Sequence, residues 1–206
     1  MDTKEQAARE RILDVAEPIF AHRGFEGTAL GDLVEGAEAA GASLHDHFDD
    51  KQSLYVAVLE RCTAPVFSAI AETIGQGQEP AQAGADIIRA AMRALAERPD
   101  VAHLIAREAL DGGGRLTPLL TEIIAPVIAT GGKMASHDID VGGWEDEDIP
   151  HIVLTMAQAT LGYFTMAAQV RELSGLNLLT DAGRERHTRF LIELTARIFP
   201  VPGRAR

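Results

Sequence analysis

The residues best suited to chemistry lie close together between Ser43 and Lys51, where the chain reads SLHDHFDDK. His45 and His47, on either side of Asp46, raise the question of a metal site. On a helix, residues two apart point about 200° away from each other, whereas helical zinc sites place their histidines four residues apart. Metal binding is therefore disfavoured. The chemistry available to this segment is then hydrogen bonding by the Ser43 hydroxyl and the two imidazoles, and the positive charge of Lys51.

Two short helical segments, separated near residues 38–40, must position these side chains. The first has apolar residues at i, i+3, i+4 and i+7, and the second has an apolar pair at i and i+4. Two helices joined by three or four residues form a helix-turn-helix, whose second helix presents its N-terminal residues to base edges in the major groove of DNA. We predict that second helix over about residues 40–47. The apolar positions are Leu30, Leu33, Val34, Ala37, Leu44 and Phe48.

The segments around this pair resemble the TetR-like (tetracycline-repressor) family of bacterial regulators. The resemblance covers about residues 9–62 and rests on Ile12-Leu13-Asp14-Val15-Ala16, Phe20-Ala21-His22-Arg23-Gly24-Phe25 and Phe48-Asp49-Asp50-Lys51-Gln52-Ser53-Leu54. It implies an all-α protein, in which an N-terminal three-helix head with the helix-turn-helix precedes a helical ligand-binding and dimerisation body. The sequence departs from the family at Glu38, where the turn glycine usually stands.

The resemblance and the helix-turn-helix geometry together predict the DNA contacts. Thr28 is expected to cap the first helix of the pair, with or without a phosphate contact, and Lys51 resembles a phosphate-contacting lysine of the family. Because no arginine, asparagine or glutamine stands at the reading positions, we expect modest specificity, partly read through DNA shape. The predicted DNA-binding residues are Thr28, Gly41, Ala42, Ser43, His45, His47 and Lys51.

Charge argues against strong DNA binding. The chain has a net charge of −12, and residues 1–62 contain six Lys and Arg against thirteen Asp and Glu. Phosphate attraction supplies most of the non-specific affinity of a DNA-binding protein, so an acidic head lowers it. Cations that share a face with the reading residues would restore part of this affinity.

Composition favours a helical protein in a reducing compartment. Only 5% of the residues are aromatic, and alanine and leucine are abundant. The single cysteine, Cys62, cannot form an intrachain disulfide. The polar N-terminal stretch lacks the apolar core of a signal peptide, and no uninterrupted apolar run approaches the ~20 residues of a membrane span. We expect a cytoplasmic protein.

Breaks at proline and glycine divide the rest of the chain into helices. We predict helices over 9–23, 51–74, 80–97, 99–111, 115–130, 147–173 and 181–199. A DNA-binding domain over 1–50 and a ligand-binding and dimerisation domain over 51–206 follow, with helix 51–74 connecting them. The last two helices carry long apolar stripes, which serve an intramolecular core, a dimer interface, or both.

A small-molecule effector is implied by the family resemblance, and its pocket is expected inside the body. Each apolar candidate is more often plain core than pocket lining. His103 and Arg107, at i and i+4, form either a polar spot for an anionic group or a solvated surface pair beside Glu108. The predicted ligand-binding residues are Phe67, Met92, Leu95, His103, Arg107, Leu120, Met156, Tyr163 and Phe164.

These features predict a ligand-responsive, homodimeric transcriptional repressor that binds a double-stranded operator. Ligand binding in the body would shift the connecting helix and change the spacing of the two recognition helices. The alternative is a protein of the same fold that binds a small molecule and has weak or lost DNA binding. We expect no cofactor, metal site or catalytic group, because no nucleophile stands beside a base in the sequence.

Overall fold

The computed structural model describes residues 3–74, 80–121 and 146–198, and within them the secondary structure is helical, without a β-strand. This confirms the predicted all-α class. The helices are α1 (Thr3–Arg23), α2 (Leu30–Ala39), α3 (Lys51–Ile74), α4 (Pro80–Glu97), α5 (Pro99–Leu110), α6 (Ile149–Thr165), α7 (Ala167–Ser174) and α8 (Asp181–Ile198), with 3₁₀ turns at Leu44–Asp46 and Asp146–Asp148. Residues 117–121 are also helical.

Local signals set most helix ends where the sequence places them. Helix α1 ends at Gly24, whose positive φ of 70° permits the left-handed turn and whose N–H donates to the Phe20 carbonyl at 2.8 Å. Helices α3 and α4 have their predicted bounds. Residues 122–130 of the predicted helix 115–130 lie outside the described residues.

The chain forms two compact units. The first consists of Met1–Ala64 and Asp100–Leu119, and the second of Pro65–Pro99 and Leu120–Arg206. This division differs from the predicted boundary after residue 50, because the first part of α3 and nearly all of α5 belong to the first unit. The core of that unit contains Ile12, Leu13, Ala16, Phe20, Leu33, Leu44, Leu54, Leu59, Leu104 and Leu116.

Helices α4, α6 and α8 meet around Thr195 in the second unit. The Thr195 hydroxyl donates to the Leu191 carbonyl at 2.9 Å and lies 3.5 Å from the Met156 sulfur. A side chain at Gly84 would place its Cβ 3.1 Å from the Thr195 methyl, so glycine allows α4 and α8 to approach closely. This packing buries the apolar face of α4, which includes Ile88, Met92 and Leu95.

The predicted helix 147–173 is two helices in the structure, α6 and α7, separated at Met166. Met166 donates to the Gly162 carbonyl at 3.0 Å, and Val170 donates to the Met166 carbonyl at 3.0 Å. The hydrogen-bond ladder therefore continues past the interruption, which is confined to one residue with φ −102° and ψ 1°.

Helix α3 contains a stretch, Lys51–Thr73, that is long and apolar enough to cross a membrane by length and composition. Core helices of soluble proteins have the same property, and half of the stretch is buried inside the protein. Its buried residues include Leu54, Val58, Leu59, Cys62 and Val66, so its apolar character is used in packing.

Candidate nucleic-acid interface

The turn after α2 is built around Gly41. Gly41 has φ +72° and donates to the Glu38 carbonyl at 2.9 Å, while Ala42 donates to the Ala37 carbonyl at 2.9 Å. These two bonds form a Schellman motif, with glycine in the left-handed position. Gly41 thus supplies the turn glycine that the sequence lacks at Glu38.

This turn changes the predicted second helix. An α-helix was expected over residues 40–47, but the structure has a three-residue 3₁₀ turn at Leu44–Asp46. Because Gly41 directs the backbone away from helical geometry, residues 41–43 are not helical. Helical hydrogen bonding resumes with the N–H groups of His47 and Phe48, which donate to the Leu44 carbonyl. The buried side chains of Leu44 and Phe48 anchor this short segment to the head.

The predicted base-reading residues occupy different environments. Gly41, Ser43 and His45 are exposed, and His47 is half-buried. Ala42 is only 9% exposed, so its methyl group packs in the head and is not free for the predicted contact with a base. We call the exposed segment from Gly41 to His47 the reading turn.

Thr28 does not cap α2. Its hydroxyl donates to the Gly24 carbonyl at 2.7 Å, and its side chain is buried. The N-cap position of α2 is Ala29, which makes no side-chain capping bond. Thr28 therefore stabilises the turn between α1 and α2 and is not available for a phosphate contact.

Lys51 is also engaged within the head. Its ammonium group donates to the carbonyls of Phe25 and Thr28 at 2.9 and 3.0 Å and lies 4.2 Å from the centroid of the Phe25 ring. The predicted phosphate contact would require this group to leave three partners. The first role of Lys51 is to fasten the start of α3 to the turn between α1 and α2.

Asp50 caps the start of α3. Its Oδ1 accepts the Ser53 N–H at 2.7 Å, and the Ser53 hydroxyl lies 3.2 Å from the Asp50 N–H. This reciprocal pair is a capping box with aspartate at the N-cap. The hydrogen bond from the Ser53 backbone lowers the pKa of the Asp50 carboxyl.

Most cations of the head are held by partners in the same unit. Arg61 donates to Asp14 at 2.7 Å, to Glu17 at 2.6 Å and to Glu10 at 3.3 Å. Arg23 pairs with Asp32, and the Arg9 guanidinium lies 5.1 Å from the centroid of the Phe48 ring. With Lys51 also held, Lys4 and Arg11 remain as exposed cations on α1. Phosphate attraction by the head is correspondingly small.

A cluster that the sequence did not reveal joins α5 to this head. Glu108 is fully buried, accepts the Arg115 N–H at 3.0 Å, and pairs with the Arg115 guanidinium at 3.6 Å. It is therefore not part of the solvated surface pair considered for His103 and Arg107. The cluster escaped prediction because residues 25, 55, 108 and 115 are far apart in sequence and no local pattern connects them.

Tyr55 completes this cluster. It is buried, and its ring lies 4.7 Å from that of Phe20 and 5.2 Å from that of Phe25. Burial raises the pKa of the Tyr55 phenol, and the negative charge of Glu108 raises it further. The hydroxyl therefore stays protonated far beyond the ordinary titration range of tyrosine.

The predicted ligand-binding residues fall in both compact units. His103 and Arg107 are exposed and belong to the first unit, whereas the other seven belong to the second. A side chain at Gly24 would place its Cβ 2.6 Å from Cδ of Arg107, so Arg107 covers the turn after α1. Among the other seven, Met92, Leu95, Tyr163 and Phe164 are buried, and Phe67, Leu120 and Met156 are half-buried.

The structure brings part of this set together in the second unit. The rings of Tyr163 and Phe164 meet edge to face at 5.3 Å, and His187 stacks on Tyr163 at 4.2 Å. Nε2 of His187 lies 3.2 Å from the Ala159 carbonyl oxygen, and burial lowers the pKa of the imidazole. The neutral ring with a proton on Nε2 satisfies this contact.

A groove of about 680 Å³ lies between α4 and α8. Met92, Ala96 and Ile192 give it an apolar floor, and four arginines and three glutamates surround them. Met92 is the one predicted ligand residue that lines it. The charged residues are Arg89, Arg93, Glu97, Arg184, Glu185, Arg189 and Glu193.

In the part of the chain that the structure describes, no group of three or more His, Cys, Asp or Glu side chains is placed so that it could hold a metal ion. Among these residues, His45 and His47 do not belong to a group of potential metal ligands.

Two family models match consecutive parts of the chain. The one described as "Bacterial regulatory proteins, tetR family" matches residues 12–58, and the one described as "YcdC-like protein, C-terminal region" matches residues 59–199. Together they cover both compact units.

Individual proteins agree with these matches. The chain is 26% identical over 172 residues to the HTH-type transcriptional regulator RutR of Escherichia coli K12, covering 84% of this chain and 81% of that protein. It is 29% identical over 151 residues to the HTH-type transcriptional repressor KstR2 of Rhodococcus jostii RHA1, covering 68% and 74%. The crystal structure of a TetR family transcription regulator from Marinobacter aquaeolei VT8 has the same fold, with a TM-score of 0.70, 14% identity, and coverage of 94% and 97%.

Proposed function

Since the chain belongs to the tetR family of bacterial regulatory proteins, we propose that it is a ligand-responsive, dimeric repressor that contacts its operator through the reading turn. Members of this family bind DNA operators and small-molecule effectors and act as dimers. Repression is favoured because one of the relatives, KstR2, is described as a repressor. We infer a cytoplasmic protein without enzymatic activity.

The observation that carries the DNA-binding proposal is the exposed edge formed by Ser43 and His45. Both side chains face solvent, while Leu44 between them is buried. A buried anchor between two exposed polar residues presents them on a fixed backbone, which reduces the entropy lost on binding. Gly41 and Ser43 also leave room for close approach of the backbone to DNA.

The affinity of this edge for DNA is expected to be modest. Arg23, Lys51 and Arg61 are held by carboxylates or carbonyls of the head, so few cations are left for phosphates. We therefore expect a shallow salt dependence and a specificity that rests on a few hydrogen bonds and on DNA shape.

Two further parts of the proposal concern the second unit. The ligand would contact residues among Phe67, Met92, Leu95, Leu120, Met156, Tyr163 and Phe164, since most of them are apolar and buried or half-buried there. The dimer would form through α6, α7 and α8, where Leu154, Met166, Leu173 and Phe190 are more than half exposed. Ligand binding would shift α3 and so change operator affinity.

Fluorescence anisotropy of the full-length protein tests the proposal, using duplex DNA from its own promoter and random duplex over a salt series. We expect Ser43→Ala and His45→Ala to weaken promoter binding by roughly 3- to 10-fold each, the worth of one hydrogen bond. Ser68→Ala is the matched control, since Ser68 is exposed on α3 in the second unit. Lys51→Ala is unsuitable here, because it also removes contacts within the head.

The second candidate, a protein of this fold that senses a small molecule with weak or lost DNA binding, is favoured by the same engaged cations. A folded dimer that binds neither duplex at low salt would refute the repressor proposal and leave this candidate. Promoter binding that is stronger than random binding and is reduced by Ser43→Ala would refute the second candidate.

A further inference from the structure

Five residues from three separated segments hold the turn between α1 and α2, and we call them the turn clamp. Phe25 lies in the turn itself, Lys51 and Tyr55 lie in the first two turns of α3, Glu108 lies near the end of α5, and Arg115 lies in the glycine-rich segment that follows. All five belong to the first compact unit.

The ring of Phe25 is the centre of the clamp. The Arg115 guanidinium lies 3.8 Å from its centroid, and the Lys51 ammonium lies 4.2 Å from it. Both distances are well inside the range in which the negative face of an aromatic ring attracts a cation. The Tyr55 ring, at 5.2 Å, supports Phe25 from α3. The turn is therefore fastened to α3 by one cation and to the segment after α5 by the other.

Glu108 keeps Arg115 in place. One carboxylate oxygen accepts the Arg115 N–H at 3.0 Å, and the other lies 3.6 Å from its guanidinium. Since the Glu108 side chain has no exposed surface, its charge can be retained only beside a cation. Moving Arg115 away from Phe25 would leave this carboxylate without that cation, so the two contacts hold each other.

The turn transmits this restraint to α2. The Phe25 carbonyl accepts from the Thr28 N–H at 3.3 Å, and the carbonyls of both residues accept from Lys51. Helix α2 begins two residues later, at Leu30, and leads directly into the reading turn. Helix α2 also packs closely on α1, because a side chain at Gly36 would place its Cβ 2.5 Å from Val15. The position of the Phe25 ring therefore fixes where α2 begins.

We propose that Arg115 is a positioning residue for DNA recognition, acting through Glu108 and Phe25 on the start of α2. This inference rests on the proposed function. It extends the DNA-binding machinery to a residue that lies well beyond the segment matched by the tetR-family model, residues 12–58. Arg115 itself touches Phe25 and Glu108, so its effect on DNA affinity is indirect.

The test compares two charge-neutral double variants of the full-length protein. Glu108→Gln with Arg115→Gln removes both charges of the buried pair and leaves the net charge of the chain at −12. Asp86→Asn with Arg89→Gln does the same for a more exposed pair in α4 of the second unit, and this makes it the matched control. Phe25→Leu is a third variant: it removes the aromatic face and keeps the buried ion pair.

Three measurements are made on each variant: promoter affinity by anisotropy over a salt series, thermal unfolding, and hydrogen exchange of residues 24–32 without DNA. The clamp variant loses one cation–π contact and should bind the promoter roughly 3- to 30-fold more weakly. Phe25→Leu loses two such contacts, to Lys51 and Arg115, and should bind at least as weakly. Exchange in residues 24–32 should become faster in both, and the salt slope should stay unchanged because no phosphate contact is lost. The control should match the wild type.

Several results would overturn the inference. One is promoter affinity within 2-fold of wild type in the folded clamp variant and in Phe25→Leu. Another is a salt slope that falls by about one, which would make Arg115 a direct phosphate contact. Weaker binding with unchanged exchange in residues 24–32 would exclude an effect through the turn. If the wild type binds neither duplex, the proposed function itself fails and this inference falls with it.

Discussion

Removing Arg115 should destabilise the first unit far more than removing an exposed arginine, because it leaves the buried carboxylate of Glu108 without a cation. Breaking a buried ion pair from one side costs about 3 to 5 kcal/mol, whereas an exposed pair contributes about 0.2 to 1 kcal/mol. The Arg115 side chain retains 23% of its exposure, so water screens the pair partly. We therefore expect Arg115→Gln to lower the free energy of unfolding by about 3 kcal/mol, the low end of that range.

A double-mutant cycle isolates this effect. Glu108→Gln removes the charge but keeps an oxygen for the Arg115 N–H, so it should cost about 1 kcal/mol, the value of an ordinary hydrogen bond. The double variant no longer contains a buried charge. Its loss should be about 1 to 2 kcal/mol, which is smaller than that of Arg115→Gln alone. The expected coupling free energy is then about 2 to 3 kcal/mol.

Urea unfolding followed by circular dichroism measures the cycle, at one fixed protein concentration because the proposed dimerisation would make stability depend on it. The parallel cycle at Asp86 and Arg89 is the control, since that pair in α4 is more exposed than Glu108 and Arg115. Its coupling should stay below about 1 kcal/mol. Equal coupling in the two cycles would refute the reasoning, because it would mean that burial of Glu108 has no energetic consequence.

Three further predictions concern the turn and two kinds of titrating group. Gly41→Ala should lower the free energy of unfolding by about 1 to 2 kcal/mol, since a Cβ there meets no atom within 4 Å and only the φ of +72° is unfavourable. Gly31→Ala, at an equally open position inside a helix, should stabilise the protein by about 0.5 to 1 kcal/mol. Urea unfolding that ranks the two variants the other way would contradict this reasoning. The pKa of Asp50 is lowered in the folded protein, so the stability that its cap contributes is present above pH 3.8 and is lost as pH falls through the folded pKa. The urea midpoint of the wild type, measured at decreasing pH, should show this loss. Asp50→Ser should show less of it, because serine keeps a capping oxygen without the charge. The chain has two tyrosines, and burial raises the pKa of both Tyr55 and Tyr163. Tyrosinate absorbance should therefore appear only above pH 10, and the free energy of unfolding should fall as pH rises beyond that value. Absorbance that develops fully at pH 10 without unfolding would show that neither phenol is shielded.

Local signals accounted for most of the helix ends. The bounds of α3 and α4 agree with the sequence because proline, glycine and a capping aspartate act within one turn of the backbone. Gly24 ends α1 for the same reason. The interruption at Met166 was missed because Met166 is neither glycine nor proline and the hydrogen-bond ladder continues past it.

Roles in the site were harder to predict than helices. Ser43 and His45 are exposed on the reading turn, yet the α-helix expected to carry them is a three-residue 3₁₀ turn. Ala42, Thr28 and Lys51 were assigned to DNA, but the first two are buried and the third is bound to backbone carbonyls. Family motifs do not distinguish a side chain that faces DNA from one that faces its own head, because both are polar residues at the same spacing.

The sequence by itself therefore determined the helical class, most of the helix ends, the family resemblance and the acidic charge of the head, since these depend on composition and on contacts within a few residues. Only the tertiary structure decided which cations remain free, and that Glu108 and Arg115 join the head. These outcomes depend on burial and on contacts between residues up to 90 positions apart, such as Phe25 and Arg115. The free energy of a buried charge is set by the partners that folding brings to it, and no local pattern specifies them.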